Sequence, residues 1–159
     1  MNQKLQDAIE SLIINDVYIK ESISKITDGF EPKYNLSEDD DNVIIRFKHT
    51  VIKSDIIELE SEDKKQDILR VFIDLGIKWV NIENADQNEF LAQIEAVYIS
   101  EYLITKKISQ ESIDEFALKN SSFHVWPYWR EFLSSTCQRM CLPKIMLPTT
   151  QFASNSKDK

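Results

Sequence analysis

Two glycines, Gly29 and Gly76, are all that this chain of 159 residues contains, and that scarcity removes several functions at once. Phosphate-cradling Gly-rich loops need more of them, and so do the tight primed turns that close short hairpins. Connections between strands are therefore expected to be longer and polar. Histidine is equally scarce, with His49 and His124 only. No Ser-His-Asp order, paired-metal cluster or phosphate loop accompanies them, so no convergent set of titratable groups supports catalysis, and both read as structural. Cys137 and Cys141 are the only cysteines. Four residues apart on one helix and without a companion Cys or His pair, they read as reduced, core-facing thiols rather than zinc ligands. Nothing in the sequence asks for a metal or a cofactor.

Basic residues are outnumbered, 19 Lys and Arg against 27 Asp and Glu, for a net charge of −8. Nucleic acid is excluded as the main partner, because phosphate binding needs clustered cations. No apolar run approaches the ~20 residues that span a bilayer, and the N-terminus lacks a basic and apolar signal pattern. The expectation is a cytoplasmic protein with no membrane partner. Acidic patches at Glu38-Asp39-Asp40-Asp41 and residues 58–63 read as solvated turns. The length suits one domain, residues 1–152, able to bury roughly 70% of its unfolded surface. Residues 153–159 form a polar tail expected to be disordered.

What the chain does have is alternation. Val43, Ile45, Phe47, His49 and Val51 alternate with Ile44, Arg46, Lys48, Thr50 and Ile52, the period of a strand. Residues 68–80 repeat the pattern more strongly, with a polar segment centred on residues 60–66 between the two. A third strand is expected over residues 90–104, and the β-branched stretch 13–26 reads as another, preceded by a short helix over residues 5–12. Ser109 is an N-cap for a helix over residues 110–120. Ser121-Ser122-Phe123-His124 is expected to break or kink the chain. Pro127 then marks the start of a second helix, and Leu142, before Pro143, marks its stop. On that helix Val125, Trp126, Trp129, Leu133, Thr136, Cys137 and Met140 follow i, i+3, i+4 spacing, with Tyr128, Phe132 and Cys141 on the flanks. So much apolar surface suits burial on two sides, one against the chain's own sheet and one against another subunit. At its start Arg130 is placed to pair with Asp114 or Glu115. The fold class is α+β, an antiparallel sheet with helices packed on one face.

These elements, with Trp126-Pro127-Tyr128-Trp129-Arg130-Glu131 and the later Leu142-Pro143-Lys144-Ile145-Met146-Leu147-Pro148, resemble the SecB export-chaperone family. Phe30-Glu31-Pro32-Lys33-Tyr34-Asn35-Leu36 is similar to its aromatic-x-Pro crossover loop, Phe90-Leu91-Ala92-Gln93-Ile94 to its fourth strand, and Pro148-Thr149-Thr150-Gln151-Phe152 to the start of its C-terminal lid helix. The resemblance implies a four-stranded antiparallel sheet and a homotetramer, a dimer of dimers joined through the long helix by Trp126, Tyr128, Trp129, Phe132, Leu133, Thr136 and Met140. It implies an ATP-independent chaperone that holds non-native polypeptide. Client contacts would fall on Phe30, Tyr34 and Leu36 in the loop and on Met146, Leu147 and Phe152 in the tail.

Departures from the family pattern bear on the partner. The family presents acidic residues on its sheet to the zinc-bearing tail of the SecA motor. Here Tyr18-Ile19-Lys20-Glu21 keeps the first-strand motif, but Lys25 and Gln93 stand at the acidic positions. Glu21, Lys25, Leu91 and Gln93 would form the partner-docking sheet. SecB-like proteins with similar drift serve toxin-antitoxin systems, so the leading expectation is a holdase for an antitoxin. The alternatives are a general export chaperone delivering preproteins to SecA and a non-catalytic adaptor for one folded partner.

Overall fold

The computed structural model describes residues 2–36 and 41–147. Helix α1, Gln3–Ser11, leads into strand β1, Leu12–Ile26, and a segment holding the single-turn helix α2, Pro32–Asn35, carries the chain to β2, Val43–Ser61. Strands β3, Lys64–Asn81, and β4, Ala92–Ile104, follow, and then helices α3, Gln110–Lys119, and α4, Ser121–Arg139. The four strands make one antiparallel sheet in the order β1-β4-β3-β2. β1 and β2 are its edges, and residues 27–42 cross from one edge to the other. The α+β class and the four-stranded sheet expected from the sequence are both observed. Among the described residues no helix is long and apolar enough to cross a membrane.

Alternation explains the core. Leu69, Val71, Ile73, Leu75, Ile77 and Trp79 of β3 share one face, none more than 1 % exposed. Their partners Ala92, Ile94, Ala96 and Tyr98 on β4 extend that face sideways, and the small alanines let a helix lie close. Helix α4 covers it with Val125, Trp129, Leu133 and Cys137, all buried and spaced four apart so that they lie on one side of the helix. Each large apolar side chain sealed this way contributes about 1.5 to 3 kcal/mol. Ser109 caps α3 as expected, its Oγ accepting the Ser112 N–H at 3.2 Å. Tyr102 of β4 stands edge-on to Phe116, 4.8 Å between centroids, and its hydroxyl meets His124 Nδ1 at 2.9 Å.

Several sequence expectations need correction. First, β2 and β3 pair from Val43↔Asn81 out to Ser61↔Lys64, so only Glu62 and Asp63 form the turn and the polar segment belongs to the strands. Neither residue has positive φ, which means the hairpin is tight without being primed. The long ladder, rather than the turn chemistry, holds the register. Second, α4 begins at Ser121 and runs straight through Pro127. The Ser121 hydroxyl donates to the Ala117 carbonyl and Ser122 Oγ lies 2.6 Å from His49 Nε2, so the first turn is tied to α3 and β2. Pro127 and Phe123, whose carbonyl loses its intrahelical donor, are exposed, which limits the cost of proline in a helix interior. Third, β4 starts at Ala92, two residues later than expected, and Glu115 pairs with Lys119 at 2.7 Å rather than with Arg130.

Register breaks are confined to the outer pairs. β1 shifts against β4 around Asn15 and Lys20, and β2 shifts against β3 at Ile52. β3 and β4 stay in step from Ile68↔Leu103 to Trp79↔Ala92. The bulge at Ile52 reverses which residues of β2 face the helices, because a single extra residue flips the alternation.

Helix α4 ends in a Schellman motif. The Leu142 N–H donates to the Cys137 carbonyl at 2.9 Å and the Cys141 N–H to the Gln138 carbonyl at 3.3 Å, leaving Cys141 at φ 55° in the position glycine usually takes. Cys141 is therefore exposed and off the helix, not core-facing. Cys137 alone is buried, and burial pushes its thiol up to about 11. Left-handed backbone costs a side-chain-bearing residue about 1 to 2 kcal/mol, partly offset by the unfolded-state entropy of glycine, about 0.5 to 1 kcal/mol. Cys141→Gly is accordingly expected to stabilise the fold by about 0.5 to 1 kcal/mol, seen as a higher urea midpoint at unchanged slope. His124 makes a second prediction. Burial holds its pKa below the ordinary value, so its contribution is complete above about pH 6.5, the unfolded value, and declines as the pH falls through that value toward the folded one. Urea midpoints should drop between neutral and mildly acid pH, and His124→Gln should flatten that drop.

Candidate client-binding site

The crossing segment is held to the sheet at its start. The Thr27 N–H and hydroxyl both donate to the Leu91 carbonyl at 3.0 Å. Gly29 then takes φ +84°, a left-handed turn that strains any residue with a Cβ. Pro32 opens α2 and is buried, while the Asn35 side-chain carbonyl accepts the Glu31 N–H at 2.9 Å. This geometry divides the expected loop residues. Phe30 and Leu36 are half-buried against the core and anchor the segment. Tyr34, 77 % exposed, is displayed, with Lys33 Nζ 5.4 Å from its ring centre.

Strand β2 also carries open apolar surface that sequence alternation assigns to a buried strand face. Ile45 and Phe47 pair with Trp79 and Ile77 on the helix side of β2, yet Phe47 is 63 % exposed and Ile45 is also open. Helix α4 packs chiefly against β4, β1 and β3, and α3 reaches β2, but neither seals Ile45 and Phe47 near the start of β2. Only the strand order reveals this. Further along, the Trp126 ring of α4 lies 6.4 Å from the His49 ring, centre to centre.

The tail beyond α4 folds back along it. Met146 is 81 % exposed, whereas Leu147 is buried at 8 % and packs in the core, so the two expected tail contacts part company. Ile145 to Leu147 and the α4 residues Pro127, Arg130, Glu131 and Ser134 frame a cleft of about 370 Å³. Phe152 lies outside the described residues, as do residues 38–40 of the first acidic patch and the tail from residue 148. Of the expected subunit-interface residues, Trp129 and Leu133 are sealed inside this chain's own core. Trp126, Phe132 and Met140 are partly buried against it, Thr136 is half-buried, and Tyr128 is exposed together with Phe123. The second apolar face of α4 is thus narrower than the sequence implies.

The opposite face of the sheet carries charged side chains above buried apolar ones such as Phe72 and Ile99. Glu21, Lys25 and Gln93 lie on it, Lys25 directly across from Gln93, while Leu91 precedes β4 and is partly buried against the core. Lys48 bridges Asp74 at 2.9 Å and Glu95 at 3.0 Å. Those contacts raise its pKa despite the opposing effect of burial. Gly76 leaves room for that bridge, since a Cβ there would come within 2.9 Å of the Glu95 side chain. Arg70 grips Asp55 with two 2.7 Å bonds and holds that carboxyl below its usual range. No group of acidic, His or Cys residues able to hold a metal occurs among the described residues.

No protein-family model and no curated relative matches this sequence. Among solved structures, the chain is similar to the SecB-like chaperone Rv1957 of Mycobacterium tuberculosis, solved with a ChAD peptide from the HigA1 antitoxin. The likeness has a TM-score of 0.63 over 92% of this chain and 96% of that one, at 11% sequence identity. The fold is SecB-like.

Display and anchoring should separate in stability. Tyr34→Ala and Phe47→Ser are expected to move the folding free energy by less than about 0.5 kcal/mol, as surface changes do. Leu133→Ala should cost about 2 to 5 kcal/mol. Urea melts of the three variants decide it.

Proposed function

We propose that this protein is an ATP-independent holdase of the SecB kind, dedicated to the antitoxin of a toxin-antitoxin system and working in the cytoplasm as a dimer of dimers. The observation that carries the reading is the SecB-like fold shared with a chaperone solved with an antitoxin peptide, combined with apolar side chains left open where the helical roof stops. Tyr34, Ile45 and Phe47 lie around the crossing segment and the β2 edge, and Met146 lies on the tail. A client segment laid across them would gain about 1.5 to 3 kcal/mol for each side chain buried. Apolar contacts are non-directional and Met adapts its shape, so many extended sequences satisfy them. Holding needs no bond chemistry, in keeping with a chain whose two histidines serve Ser122 and Tyr102. Several grooves on one assembly would turn weak single contacts into firm retention of one long chain.

Lys25 and Gln93, opposed on the open face, favour the antitoxin role over export, because a basic, zinc-bearing motor tail would meet a lysine there. The export reading keeps one point in its favour, the Tyr18-Ile19-Lys20-Glu21 motif. An adaptor for one folded partner would use an unpaired edge of β1 or β2.

The purified protein should suppress aggregation of an unrelated reduced protein without nucleotide, and a Tyr34→Ser, Phe47→Ser double variant should lose most of that activity while remaining folded. Binding restricted to one folded partner would favour the adaptor, and co-purification of secretory precursors with SecA would favour export. A neighbouring gene for a short antitoxin with an apolar C-terminal extension is expected.

A further inference from the structure

Cross-strand pairing rules the open face of the sheet into rows, and one row differs from the others. Arg46, Lys78, Gln93 and Lys25 are successive partners across β2, β3, β4 and β1, which gives three cations and no acid in a chain of net charge −8. Other rows carry acids: Lys48 meets Glu95 of its own row and Asp74 of the next, and farther along Arg70 meets Asp55 in a row that also holds Glu101 and Asp16. Arg46 and Lys78 stand directly opposite each other, an arrangement that destabilises a strand pair. Arg46 turns aside to the Ala85 carbonyl at 2.5 Å. Lys78 is 3.9 Å from Glu95, whose other oxygen already holds Lys48, and 5.5 Å from the Phe90 ring centre. One carboxylate thus serves two lysines.

A cleft of about 380 Å³ adjoins this row. Lys25, Phe90 and Leu91 line it with Thr27, Asn81, Asn84 and Asn88, and Glu89 is its one acid. Cations, an aromatic ring and amides together match a particular kind of chain. The geometry points to an acidic polypeptide segment bearing an apolar residue as the occupant of this end of the open face. Its carboxylates would pair with Lys25 and Lys78, its apolar side chain would rest on Phe90 and Leu91, and the asparagines would bond its backbone. The rest of the molecule, being acidic, repels such a segment, so attraction is confined to the row. A nucleic acid fits less well, because phosphate binding draws on many more cations than three. This docking surface lies on the side of the sheet opposite Phe47, so it stands or falls independently of the holdase role.

The test is fluorescence anisotropy of a labelled oligo-glutamate peptide with a central Leu, titrated with the full-length protein. Expected is saturable binding that weakens as salt screens the lysines. Lys25→Glu and Lys78→Glu should each weaken it several-fold, and Lys107→Glu, an equal charge change at an exposed site after β4, should leave it unchanged. Lys25 is itself exposed on an edge strand, so its variant keeps the test decisive if Lys78→Glu does not fold. Failure to saturate, an equal loss in the Lys107→Glu variant, or tighter binding of a single-stranded oligonucleotide at the same site would overturn the proposal.

Discussion

Val125, Trp129, Leu133 and Cys137 close over the inner faces of β3 and β4, and this contact between one helix stripe and two central strands positions everything else. Because those strands pair without interruption, their side chains offer a regular surface on which a single helix can settle. The roof is narrower than the sheet beneath it. Apolar residues on the central strands are sealed, and those on the first half of β2 are left over. The open surface at Ile45 and Phe47 is therefore a consequence of a four-stranded sheet under a helical layer that covers its β2 edge only in part.

Much of this was legible in the amino-acid sequence, for identifiable reasons. Period-two alternation locates β3 and the first half of β2, and Ser109 locates the start of α3, because both signals are local. The loop's division into anchor and display was half legible. Tyr34 stands among Lys33, Asn35 and Glu31, and a polar setting marks it as exposed. Where the sequence misleads, a distant contact overrides a local rule. Pro127 signals a helix start, but Ser121 and Ser122 bond to α3 and β2 and begin the helix earlier. Leu147 looks like free tail surface until the chain folds back along α4. Ile45 and Phe47 alternate like core residues, and nothing local says that β2 is an edge. Cys141 carries the spacing of a core thiol, but lies one step past the cap, in a backbone region that cysteine rarely occupies.

The two faces of the sheet follow different physics. On the helix side of β3 and β4, burial is nearly complete and its stabilisation comes from the area removed from water. On the open side, apolar residues such as Phe72 are covered by the long side chains of Lys53, Arg70 and Lys20, each within 5.9 Å of its ring centre. Their aliphatic stems cover the ring while their charges stay in water. A face built this way is dry beneath and charged on top, and its charge pattern can change without disturbing the core. The SecB-like fold and a sequence identity of 11% are compatible for that reason.

The interrupted register of the outer strands has a consequence for how such a molecule coexists with copies of itself. A strand with a free side is a template for endless lateral growth into fibres, and a protein with sticky surfaces is especially exposed to that hazard. Here the pair with neighbours on both sides is regular, and the extra residues fall in the two strands that lack an outer neighbour. Each one bends its strand and throws a docking neighbour out of step, which discourages polymerisation where the backbone is open.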